Sequence, residues 1–118
     1  MLTTNQWLPI GSVVHVDGKE ELVVIAGYMQ QDVETGRLWE YVGLNHPTGF
    51  LNPGDDVLFD RDSIDGVVFV GLQGVLEEHW VAALEATQES FSKAKDDAEE
   101  AGRQKVEASQ KTEARDDD

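Results

Sequence analysis

An α+β fold is predicted: a small, antiparallel, strongly bent sheet of four to five strands, partly open and barrel-like, followed by a C-terminal helix and a charged tail. Three observations predict it. Short apolar runs between Ser12 and Leu72 are separated by turns rich in Gly and Asp. The apolar period changes from that of strands to that of a helix across Gly71 and Gly74. Beyond Phe91 the apolar positions fade into charge, which leaves too little apolar surface to join a core. Residues 1–88 are therefore expected to form one domain, with its helix continuing to about residue 95, and residues 96–118 an acidic tail, partly helical or disordered.

The elements follow in order. In Trp7-Leu8-Pro9-Ile10, Pro9 pushes Leu8 toward an extended conformation. Ser12 to Val16 reads as a first strand, and Asp17-Gly18 as the turn of a hairpin. Glu21 to Met29 is a second strand, apolar on both faces and so expected to be central. Glu34-Thr35-Gly36 makes the next turn. Leu38 to Leu44 then alternates, with Trp39 and Tyr41 on one side and Leu38, Glu40 and Val42 on the other. A loop with Pro47, Gly49, Pro53 and Gly54 precedes a short apolar run, Val57-Leu58-Phe59. Asp62 to Gly66 is read as a turn and Val67 to Leu72 as the last strand. From Val75, the stripe Leu76, Trp80, Leu84, Thr87, Phe91 is expected to lie on the sheet, with Glu77 and Glu78 at the positive end of the helix dipole. Glu99 with Arg103 and Glu107 with Lys111 are spaced for ion pairs along the helix surface.

Charge narrows the function classes. The net charge is −15, and residues 1–88 carry three bases (Lys19, Arg37, Arg61) against 14 acids, a net of −11. Nucleic acid and anionic lipid both require a basic footprint, so neither is an expected partner. A protein with a basic surface is compatible with this field. No cysteine is present, which excludes disulfides and thiolate chemistry. The first residues lack the basic and apolar regions of a signal peptide, and no apolar run approaches a membrane span, so a cytoplasmic location is expected.

Motifs that carry chemistry are not found. Read as a calcium loop from Asp60, the chain places Ile64, Asp65 and Gly71 where an oxygen ligand, glycine and glutamate are needed. His15, His46 and His79 have no metal-ligand spacing, and no nucleophile elbow surrounds any serine. No enzyme, cofactor or metal is expected. The aromatic residues are numerous for so small a core, and most are expected inside it. With the loop Asn45 to Gly54 they make Trp39, Tyr41, His46 and Phe50 the candidate partner-binding residues.

The blocks Leu8-Pro9-Ile10-Gly11-Ser12-Val13-Val14, Ile25-Ala26-Gly27-Tyr28, and Tyr41-Val42-Gly43 with Pro47-Thr48-Gly49-Phe50 closely resemble the domain-of-unknown-function family 4176. So do Phe59, Ile64, Val67, Phe69 and Gly71. The resemblance runs from about Trp7 to Leu84 and implies a small cytoplasmic accessory protein of type VII secretion, a chaperone or adaptor for an LXG-type polymorphic toxin before export. It brings no catalytic residues. An immunity protein that neutralises a cognate toxin, and a general acidic protein-interaction module, are the alternatives.

Overall fold

The computed structural model describes residues 6–116, with side chains described through residue 103. Five strands, β1 (Val13–Val16), β2 (Leu22–Gln31), β3 (Leu38–His46), β4 (Asp56–Phe59) and β5 (Ile64–Phe69), form one antiparallel sheet of order β4-β3-β2-β1-β5. The helix α1 (Val75–Asp116) follows, making an α+β fold. As expected from its apolar run, β2 is central. The sheet is open, with β4 and β5 as its edges.

Asp17-Gly18 closes the β1–β2 hairpin, with Gly18 at φ 84, a conformation that glycine reaches without strain. Within β2 a bulge lies between the rows Ile25–Gly43 and Gly27–Val42. The extra residue shifts the alternation, so that Val23, Ile25 and Tyr28 are all buried while Ala26 is exposed. Two further irregularities interrupt the β1–β5 register. Irregularities of this kind bend a strand and increase its local twist.

Two expectations are corrected here. Ile64, Asp65 and Gly66 belong to β5, not to a turn, because the chain reverses earlier, through a 3-10 turn at Arg61–Ser63, and the strand ends at Phe69 rather than Leu72. The helix also runs past residue 95. Its later turns contain no proline and are rich in Ala, Glu, Lys and Gln, all good helix formers. At residue 99 the helix also meets the β2–β3 hairpin, where Arg37 Nε lies 3.3 Å from Glu99 Oε1, a charge contact without hydrogen-bond alignment. Glu99 thus serves the β2–β3 hairpin, where spacing had suggested Arg103. Glu107 and Lys111 lie outside the residues whose side chains are described.

The core sits between one face of the sheet and the pair formed by α1 and the Trp7-Leu8 segment. Trp7, Leu8, Val14, Val16, Val23, Ile25, Tyr28, Tyr41, Phe59, Ile64 and Leu84 are buried. The helix seam is Val81, Leu84, Gln88, Phe91, Lys95, Ala98 and Gly102, spaced alternately three and four. This corrects the expected stripe: Leu84 and Phe91 face the sheet, but Leu76, Trp80 and Thr87 are exposed. The polar seam positions have specific partners. Trp7 Nε1 donates to Gln88 Oε1 at 3.2 Å, and Lys95 Nζ donates to Asp60 Oδ2 at 2.6 Å. These two pairs give the polar residues of the seam partners, and the helix docks one position round from its most apolar line.

Gly71 marks the junction of sheet and helix. Its N–H donates to the buried Ser12 Oγ at 2.9 Å, and a Cβ there would lie 2.2 Å from Ile10 O and 3.0 Å from Ser12 N. Those are backbone atoms and cannot swing aside. Gly71→Ala is therefore expected to destabilise the domain by about 2 kcal/mol or more. A urea midpoint equal to the parent's would show that this approach is not tight.

His15 and Asp65 join β1 to β5: Nδ1 contacts the Asp65 carboxylate, and Nε2 donates to Lys19 O at 2.9 Å. The hydrogen bond to Asp65 raises the His15 pKa above its ordinary value. Stability from this contact is full below about pH 6.5, the unfolded value, and is lost as pH rises through the raised folded one. Urea midpoints should fall across that window, and Asp65→Asn should flatten the fall. An unchanged slope in Asp65→Asn would assign the titration elsewhere.

Candidate interaction surface

The four sequence-derived candidates do not form one surface. Tyr41 is 0% exposed and belongs to the core. Its ring packs on Trp7, Tyr28 and Phe59, and its hydroxyl accepts the Leu8 N–H at 2.8 Å, so it holds the Trp7-Leu8 segment rather than a partner. Burial pushes its pKa up to about 12. Trp39 is half-buried under Arg37, whose guanidinium carbon lies 3.9 Å from the ring centroid. His46 and Phe50 are exposed, one at the end of β3 and the other in the following loop beside the equally exposed Leu51. Only these two are presented to solvent in the way a binding anchor requires.

A larger apolar surface lies where β5 passes into α1. Val68, Phe69, Val70, Leu72, Val75, Leu76 and Trp80 are all exposed, Leu76 by 88% and Trp80 by 52%. The reason is the seam. Residues in a helix turn by about 100° each, so fixing Val81, Leu84 and Gln88 on the sheet rotates their predecessors Trp80, Ala83 and Thr87 outward. Trp80 keeps one contact with the core, its ring centroid 6.3 Å from that of Tyr28. Val75, His79, Ala82 and Ala86 continue the exposed arc, and Glu78, Glu85 and Glu89 border it. Exposed apolar residues rimmed by polar ones are the kind of surface through which proteins associate.

The sequence reading missed this surface because apolar residues at helical spacing were assigned to the core. The signal was the second line Val81, Leu84, Phe91, which competes with Leu76, Trp80 and Thr87 for the sheet.

Glu40, Asp60, Arg61 and Lys95 are engaged in the architecture. Glu40 accepts from Arg61 N at 2.9 Å and from Arg61 Nε at 3.0 Å, while the Arg61 guanidinium lies over Trp7. Asp60 accepts the Glu40 N–H at 3.0 Å as well as Lys95. A shallow groove of about 470 Å³ on the sheet has Val42 and Leu58 in its lining and Gln30, Asp32, Glu34 and Asp56 around them. Among the described residues no three His, Asp or Glu side chains converge as a metal-binding group. No helix among them is long and apolar enough to cross a membrane.

The fold and its surface define a small α+β domain: an open sheet braced by one helix, with an apolar face at their junction. The chain belongs to the family described as domain of unknown function (DUF4176), which it matches over residues 7–80. No curated protein and no solved structure matches it.

Proposed function

We propose that this protein is a non-enzymatic accessory factor of type VII secretion, a cytoplasmic chaperone or adaptor that holds an LXG-type toxin before export. The observation that supports this reading is the exposed apolar face from Val68 to Trp80, set in a domain with a net charge of −11 over residues 1–88. Such a face gains by being covered, and the acidic field speeds encounter with a basic partner. The resemblance of the sequence implies the secretion context, and the scarcity of bases argues for a protein partner rather than nucleic acid or membrane.

Co-expression with an LXG toxin encoded beside the gene tests the proposal. The two should co-purify, less at high salt, and the toxin's yield or export should rise. Rescue of cells from the active toxin domain, with no effect on yield or export, would instead identify an immunity protein. Absence of binding to the toxin would refute both.

A further inference from the structure

The chemistry of the apolar face specifies what covers it. We propose that the partner docks as an amphipathic helix, its apolar side on the first three turns of α1 and its lysines or arginines against the acidic border. This inference rests on the adaptor reading and adds the form of the partner.

Three observations carry it. First, the exposed large side chains on α1, Val75, Leu76 and Trp80, are followed by Ala82, Ala83, Ala86 and Thr87 on the same arc. Three large side chains followed by small residues leave a shallow channel along the helix, into which the ridges of a second helix can pack closely. Second, charge complementarity selects the partner. Between Arg61 and Lys93 the chain carries Asp62, Asp65, Glu77, Glu78, Glu85 and Glu89 and no lysine or arginine. A second copy of this chain would bring the same carboxylates together, whereas a basic border on the partner pairs with them. Third, the neighbouring sheet edge is poorly suited to receive a strand. The β1–β5 register is interrupted twice, between Val13 and Val14 and between His15 and Val16, and bulges of this kind turn an edge away from further pairing. The exposed Val68 and Phe69 of β5 are therefore left for a partner that does not extend the sheet.

Calorimetry with the full chain and designed peptides tests the inference. The probes are leucine–lysine peptides of about 14 residues, one with helical period and one with strict alternation, and a leucine–glutamate peptide of helical period. The helical leucine–lysine peptide should bind best, by about tenfold or more over the other two, and less at high salt. Leu76→Gln and Trp80→Gln should each weaken it by about tenfold. Leu76 is almost wholly exposed, so Leu76→Gln should keep the parent's urea midpoint. Trp80→Gln also gives up the ring contact with Tyr28, and its binding is compared where it is fully folded. Ala83→Gln fills the channel and should weaken binding without removing an anchor. Three results would overturn the inference: no binding by the helical leucine–lysine peptide, equal binding by the alternating peptide, or a dimer of the chain that Leu76→Gln dissociates.

The toxin co-expression separates this inference from the adaptor reading. A toxin that still co-purifies with both Leu76→Gln and Trp80→Gln leaves the adaptor in place and removes the helix-docking face. Peptide binding without toxin binding removes the toxin as partner and leaves the face.

Discussion

Tyr41→Ala is expected to destabilise the domain by about 4 kcal/mol, the range for truncating a large buried ring. The side chain is fully buried at the centre of the aromatic cluster, with ring centroids 5.5 Å from Trp7, 5.7 Å from Tyr28 and 5.3 Å from Phe59. Its loss opens a cavity that three rings cannot fill without leaving their mutual contacts. It also strands the Leu8 N–H, which now meets the Tyr41 hydroxyl at 2.8 Å. Small domains are stable by only about 5–15 kcal/mol, so the urea midpoint should drop by a large fraction. Tyr41→Phe keeps the ring and loses the acceptor, and should cost about 1–2 kcal/mol. Titration gives a second readout. Burial raises the pKa of Tyr41 to about 12, and burial together with the charge of Glu77 does the same for Tyr28. Since both folded values lie above the unfolded one near 10, stability is lost as pH rises from about 10 to 12. Tyr41→Phe should lessen that loss. Should Tyr41→Ala keep the parent's midpoint and lose only partner binding, the residue would be a contact and not a core element.

Asp60→Ala is expected to cost about 3 kcal/mol, at the low end for breaking a buried ion pair. The Asp60 side chain is 9% exposed and that of Lys95 19%, with 2.6 Å between Nζ and Oδ2. Removing the carboxylate leaves a half-buried ammonium on the helix and an unmet Glu40 N–H on β3. The ammonium can swing partly toward water, which is why the low end applies. Lys95→Met removes the charge and keeps the apolar stem. The double variant should therefore be more stable than the sum of the two single effects by at least about 1 kcal/mol. Amide exchange along residues 88–102 should quicken in Asp60→Ala more than in the central strands, because the pair fastens helix to sheet. Strict additivity of the two substitutions would show that they do not interact.

Much of the architecture was legible in the residues. The Asp17-Gly18 turn, the doubly apolar β2, and the change of period at Gly71 placed the hairpin, the central strand and the start of the helix. Local chemistry fixes such features, and they are read locally. The face of α1 was not legible, because two neighbouring lines of residues could each have met the sheet. Apolarity favoured Leu76 and Trp80. The line that docks contains Gln88 and Lys95, whose partners Trp7 and Asp60 are 81 and 35 residues away in the chain. Likewise Tyr41 and Phe50 looked alike as aromatic candidates, yet one is the hub of the core and the other is exposed on a loop.

What the sequence by itself determined was the class of fold, the acidic field and the family. Only the tertiary structure decided which apolar residues are left for a partner. The physical reason is that burial is a competition between distant surfaces. An apolar side chain is drawn out of water equally by a sheet or by another protein, and the fixed polar pairs across the core settle which one it meets.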